Sequence, residues 1–302
     1  MPSNVATKVL MVRPRSFRCN EETKSTNAFQ PRDAQAAHPA DVATQARAEF
    51  DALRQSLLEH GIDVATFDEP PHADTPDALF PNNWFAFLPD GPTFLFPMEA
   101  ENRRREVQPD WLLPFCNKRP LIDLRSHGQS HEFLEGTGSL ILDHRLKQGY
   151  ACLSSRTHPK VIADFSVQSG YQILTFTAVD LSGIPFYHTN VMMALGSHTA
   201  ILCTESIVDL EERSAVLRSL EDSGRRVIPI TLKQVKDFCG NILQLSSRDG
   251  QFYWVCSDRA FTALTPEQKS LLEADARIIH VPLTTIENLG GGSARCMLGE
   301  IF

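Results

Sequence analysis

With 302 residues, 42% of them hydrophobic, the chain can bury a large core and is too apolar to stay disordered. Its formal net charge of -8, from 29 basic against 37 acidic residues, comes without any long cationic run. That argues against nucleic-acid binding and for a small-molecule or protein partner. No apolar run reaches the ~18 residues of a membrane span.

The start, "MPSNVATKVLMVRP", lacks the apolar region of a signal peptide. Cys19, Cys116, Cys152, Cys203, Cys239, Cys256 and Cys296 are odd in number and scattered, with no CxxC pair. Neither a disulfide framework nor a zinc site is expected, and a reducing, cytoplasmic setting is.

A helix is expected from Ala40 to His60, alanine-rich and ended by Gly61, running into the strand "IDVATF" from Ile62. A second, from Asn102 to Phe115, is interrupted by Pro109 and Pro114 and precedes "PLIDLR" from Pro120. The strand "YQILTF" starts at Tyr171. A helix over Ser206 to Asp222, stopping before Gly224, leads to "RVIPIT" from Arg226. The last helix opens at Thr265-Pro266-Glu267-Gln268, which offers a cap hydroxyl, a first-turn proline and a capping-box glutamine. It leads to "RIIHVP" from Arg277.

The five strand starts are 58, 51, 55 and 51 residues apart. After each strand comes a loop and a second apolar run: "LFPNNWFAFL", "FLEGTGSLIL", "YHTNVMMALG", "FCGNILQL" and "GSARCMLG". A period near 50 means an array of supersecondary units that cannot bury their own apolar faces. Five units in one short chain predict a closed ring in a single α/β domain over 1–302. Asn83, Glu135, His188, Asn241 and Cys296 lie 21, 15, 17, 15 and 19 residues past their strand starts. In a pseudosymmetric ring such equivalent positions point at one axis, so Asn83, Glu135, His188 and Cys296, from different modules, are expected to meet at the centre.

Most lone cysteines are small buried hydrophobes. Cys296 differs because it follows "GGGSAR", a loop able to bring backbone close to a ligand and present a thiol. His188 alone reads as a core histidine and Glu135 alone as a turn carboxylate. Together the three are the minimum set for thiol nucleophile, acid/base and orienting acid. Arg103 lies 20 residues after Asn83 and Arg156 lies 21 after Glu135, as planar forks for a substrate carboxylate. Arg104 and Arg105 leave the first of these assignments open by one position.

At these residues the chain resembles the guanidino-group-modifying enzymes: arginine deiminases, dimethylarginine hydrolases and amidinotransferases. "GGGSARCM" is similar to the deiminases' terminal cysteine loop, "YHTN" to their His-x-Asp, "FLEGTGS" to their Glu-Gly-Gly-Asp and "LSSRTH" to an arginine segment of the dimethylarginine hydrolases. "FPNNW" and "RPRSFRCNEETKSTNAFQ" resemble the branch named for citrulline utilisation. The resemblance implies a five-bladed α/β propeller (pentein) of ββαβ modules. It implies Cys296 as nucleophile, His188 as acid/base, Glu135 as its partner, and Arg103 with Arg156 as carboxylate clamp, without a cofactor or metal. Phe80, Asn82, Asn83 and Asn190 are the further expected substrate-binding residues.

The departures point to the substrate. Where deiminases grip a guanidinium with carboxylates, this chain carries Asn83 and Asn190, and Gly138-Ser139 replaces the acid of the glycine segment. Burying a guanidinium without a counter-ion costs several kcal/mol. An asparagine amide both donates and accepts, which suits a neutral ureido group such as that of citrulline. Citrulline hydrolysis to ornithine, ammonia and carbon dioxide is therefore expected. The alternatives are arginine or methylated-arginine hydrolysis, amidino transfer and, outside enzymes, a non-catalytic pentein binding protein. No coiled-coil pattern marks a homo-oligomer interface, and the sequence leaves that state open.

Overall fold

The computed structural model describes residues 5–30, 39–71 and 73–302; the first four residues of the start segment lie outside them. The described chain forms five small sheets of three strands each. β1 (Lys8–Arg13) pairs in parallel with β2 (Asp63–Asp68) across a crossover that contains the helix Pro39–Glu59. β3 (Phe85–Phe87) and β4 (Thr93–Leu95) form a hairpin, and β5 (Leu121–Asp123) joins β4 in parallel. The same order recurs in β6 (Ile141–Asp143), β7 (Gln148–Cys152) and β8 (Gln172–Phe176). It recurs again in β9 (Met193–Leu195), β10 (Thr199–Leu202) and β11 (Arg226–Pro229). The fifth sheet holds β12 (Leu243–Ser246), β13 (Phe252–Ser257) and β14 (Arg277–Val281). β15 (Gly299–Ile301), the last strand, returns to pair antiparallel with β1 and supplies the hairpin partner that the first sheet lacks.

The chemistry of each connection dictates this order. An antiparallel pair is closed by a short turn, whereas a parallel pair needs a crossover, which here carries a helix or helical turns. The helix Pro39–Glu59 buries Val42, Ala46, Phe50, Leu53 and Leu57, spaced to form one apolar stripe, against Val9, Met11, Ile279 and Val281. Leu210–Asp222 is capped by Asp209, whose side chain accepts from the Glu211 and Glu212 amides. Pro266–Glu273 opens with a complete capping box between Thr265 and Gln268.

All five strands read from the sequence are the third strands of their sheets, and the five apolar runs that follow contain the first strands β3, β6, β9, β12 and β15. Two helix boundaries move. The helix expected over Asn102 to Phe115 is α-helical only over Glu101–Arg104, because Pro109 and Pro114 turn the rest into short 3₁₀ segments. The helix expected from Ser206 begins at Leu210, where Asp209 provides a better cap. Among the described residues no helix is long and apolar enough to cross a membrane.

Candidate active site

The site begins at the glycine loop. After the helix Thr284–Gly290 the chain turns through Gly291 at φ 64°, a left-handed conformation, and enters the 3₁₀ turn Ala294–Met297 that carries Cys296. A Cβ at Gly292 would stand 2.9 Å from the Phe80 ring, and one at Gly291 would stand 2.7 Å from Asn27 Nδ2. The glycines therefore let backbone press against Phe80 and Asn27 while the thiol is delivered from the turn. The Gly290 carbonyl accepts from Asn27 Nδ2 and Gln30 Nε2, both at 3.2 Å, which ties the N-terminal segment over this loop.

Each of the five equivalent positions reaches one locality. Asn83, His188 and Cys296 line a single small pocket of about 20 Å³, together with Phe80, Arg103 and Arg156. Glu135, fully buried, accepts from His188 Nε2 at 2.8 Å, and Asn241 Nδ2 donates to Cys296 Sγ at 3.2 Å. Asn190 Nδ2 lies 3.5 Å from the same sulfur. Asn82 is buried elsewhere: its backbone carbonyl accepts from Thr137 Oγ1 at 3.2 Å, and its side chain does not line the pocket.

A second glycine lets Asn83 and His188 approach the backbone closely. A Cβ at Gly138 would stand 2.3 Å from Asn83 Nδ2 and 2.8 Å from His188 Nδ1, so any side chain there would displace both. Gly138 belongs to the short helix Gly136–Ser139, fixed by the Ser139 hydroxyl donating to the Arg156 carbonyl at 2.8 Å.

The electrostatics set the proton positions. Burial pushes Glu135 up, but Arg156, the His188 hydrogen bond and Arg103 outweigh it and hold the carboxyl well below its usual range. Burial lowers His188 to about 4 despite Glu135, so the ring is neutral at physiological pH. Glu135 can only accept, so Nε2 carries the proton and Nδ1 presents a lone pair on the Gly138 side.

The two arginines are both buried and both lie near Glu135 Oε2, Arg156 Nη1 at 3.5 Å and Arg103 Nη1 at 3.9 Å. Arg103 is heavily engaged. It donates to Glu106 through Nε and Nη2, to the Phe80 carbonyl at 3.1 Å and to Asn83 Oδ1 at 2.7 Å. Arg156 stacks over the Tyr187 ring at 4.9 Å, and its Nη2 donates to the Thr23 carbonyl at 3.3 Å. The register left open in the sequence resolves to Arg103, since Arg104 turns away and donates to the carbonyls of Met98 and Glu99.

Asp77 and Asn241 were not among the expected site residues. Asp77 lines the pocket, raised by burial, with Oδ2 accepting from Asn20 at 2.7 Å and Oδ1 unpartnered. No sequence signal distinguishes it from other loop carboxylates. Asn241 did carry a signal, its equivalent place in the repeat. Among the described residues no group of three or more His, Cys, Asp or Glu is arranged to hold a metal ion.

The fold is that of the guanidino-group-modifying pentein superfamily. The chain belongs to the family described as N,N dimethylarginine dimethylhydrolase, eukaryotic, whose family model matches residues 13–302. Among solved structures it is similar to apo ArgZ, an arginine dihydrolase from the ornithine-ammonia cycle in cyanobacteria. That match has a TM-score of 0.75 at 15% identity, over 97% of this chain and 40% of that one. The isolated ArgZ N-terminal domain, bound to product, matches over 99% of this chain and 98% of its own length, with a TM-score of 0.74 at 15% identity. A dimethylarginine dimethylaminohydrolase adduct with S-methyl-L-thiocitrulline matches with a TM-score of 0.65 at 13% identity, covering 98% of this chain and 100% of that one. The chain thus spans less than half of full-length ArgZ. No curated protein matches it.

Proposed function

We propose that this chain is a cofactor-free cysteine hydrolase that cleaves the ureido group of citrulline, built as a five-bladed ring in one domain over 1–302. The return of β15 to β1 and the convergence of one residue from each module support the ring.

The observation that carries the substrate assignment is the orientation of Asn83. Arg103 has only donors, so the contact at 2.7 Å fixes Asn83 Oδ1 toward it and leaves Nδ2 unpartnered on the side of Gly138 and His188. A donor facing the pocket suits the carbonyl oxygen of a ureido group and opposes a guanidinium, which has only donors. Asn190 Oδ1, also buried and unpartnered, supplies an acceptor for the ureido N–H groups. Arg156 and Asp77 offer opposite charges for the amino-acid carboxylate and ammonium.

The reaction follows from the protonation states. His188 Nδ1 takes the Cys296 proton, and the thiolate attacks the ureido carbon. The carbonyl oxygen takes up negative charge opposite the Asn83 amide. The imidazolium, held by Glu135, then protonates the departing ornithine nitrogen, leaving a carbamoyl group on sulfur. Water, deprotonated by the same ring, releases carbamic acid, which breaks down to ammonia and carbon dioxide. Seven unpaired thiols support a reducing, cytoplasmic location.

A guanidino substrate, arginine or a methylated arginine, is the second reading. It is favoured by the unpartnered Asp77 Oδ1, the one pocket carboxylate oxygen free to meet a cation. Purified protein given citrulline, arginine and dimethylarginine separately decides between them. Ornithine and ammonia from citrulline, with a carbamoyl adduct trapped on Cys296, is the expected result. Turnover of arginine or dimethylarginine without citrulline turnover removes the first reading.

A further inference from the structure

We infer that Asn241 is a catalytic residue, an amide donor that holds the Cys296 thiolate from the module opposite in sequence to the His188–Glu135 pair; this rests on Cys296 being the nucleophile. Removing the thiol proton to His188 Nδ1 leaves an electron pair and a full negative charge on Sγ in a buried site. That charge needs compensation. The two nearby cations are already paired with carboxylates, Arg103 with Glu106 and Asp77, and Arg156 with Glu135 and Glu99. What reaches the sulfur instead is amide N–H: Asn241 Nδ2 at 3.2 Å and Asn190 Nδ2 at 3.5 Å.

Asn241 is built for this contact. Its Nδ2 has two protons and two acceptors, Cys296 Sγ and the Asn190 backbone carbonyl at 3.1 Å, so the amide cannot turn without losing both. Its own carbonyl accepts from the Arg295 amide at 3.3 Å, which ties it to the residue before the nucleophile. The approach depends on Gly240, where a Cβ would stand 2.4 Å from the Val191 carbonyl oxygen. The pair Gly240-Asn241 thus brings the fifth sheet's loop against the Asn190 turn, and a single side chain bridges nucleophile and neighbouring module.

The test is the pH dependence of Cys296 alkylation by iodoacetamide in the free protein, with no substrate present. A hydrogen bond to a charged group is worth about one to two pKa units. Asn241→Ala is expected to move the inflection up by about that much, a roughly tenfold or greater loss of alkylation rate at a fixed pH below it. Asn241→Asp, which keeps the shape and replaces the donor by a carboxylate, is expected to move it at least as far. An inflection unchanged in either folded variant overturns the proposal, since a merely structural role lowers the melting temperature without touching the thiol. In the unmutated chain, the Asn241 side-chain amide resonances are expected to titrate with the thiol, and resonances that stay flat across that titration also overturn it. Failure to turn over citrulline, with the inflection shifted as expected, sinks the substrate assignment and leaves Asn241 in place.

Discussion

Asn83→Asp is the substitution that most directly interrogates the ureido assignment, because it changes chemistry and almost no shape. In the native site Oδ1 accepts from Arg103 Nη1 at 2.7 Å and Nδ2 is unpartnered on the side of Gly138 and His188. The carboxylate keeps the arginine contact, so the fold has a ready counter-ion. It loses the inward donor and faces the substrate oxygen with an acceptor instead. Losing one donor to a developing oxyanion costs about 2.7–4 kcal/mol, or ~10²–10³ in rate. The added charge also enters a site where burial already pushes Asp77 and Glu106 up toward protonation, so a modest stability loss accompanies it. Steady-state assays should show kcat/KM for citrulline falling by roughly 10²–10³, while arginine gains a counter-charge and improves relative to citrulline. Citrulline turnover within a few-fold of the native enzyme, in a variant with native circular dichroism, refutes the donor argument.

Gly138→Ala places a methyl group 2.3 Å from Asn83 Nδ2 and 2.8 Å from His188 Nδ1; kcat is expected to drop ~10²-fold, as misplacement of about 1 Å can, while far-UV dichroism stays native. Glu135→Gln removes the negative charge shared by His188, Arg156 and Arg103. It should cost about 3–5 kcal/mol in denaturant melts and ~10⁴ in kcat, and a small effect on both would mean that the ring is oriented by something else. For pH, burial lowers His188 to about 4, below the ordinary value near 6.5, so between the two the unfolded chain binds a proton that the folded chain does not. This contribution to stability is present above about pH 6.5 and is lost on acidification toward 4. The acid limb of kcat/KM, which reports the neutral base, should lie near pH 4 in the free enzyme; a limb at the ordinary histidine value would show the ring to be solvated.

The repeat was legible because each module presents the same two strands, a largely half-exposed third strand and a largely buried first strand. Each third strand is a short run rich in β-branched or aliphatic residues, and after a loop each is followed by an apolar run that holds a first strand. The central strands β1, β4, β7, β10 and β13 gave no separate signal. Being hydrogen-bonded on both edges, each is fixed by its neighbours rather than by turn residues of its own; "TFL" at Thr93–Leu95 is three residues between a proline turn and an arginine-rich segment. The helix after Asn102 was legible only as doubtful, since its prolines forbid the regular hydrogen bonds that its charge pattern invites.

The site divides along the same physical line. Asn83, Glu135, His188 and Cys296, picked out by like places in the repeat, reach one locality, and Asn241, at the corresponding place in the fifth sheet's loop, joins them. What spacing cannot convey is which atom of each side chain faces the substrate. Arg103 looked like an open fork, yet its donors go to Glu106, Phe80 and Asn83, and its visible consequence is to orient the Asn83 amide. On the proposed reading, Arg103 would favour a ureido group over a guanidinium by dictating which end of the Asn83 amide the substrate meets. On that reading the selection would depend on a hydrogen bond inside one module, between the turn before β3 and the short helix before β5, and so on how that module folds rather than on either motif alone.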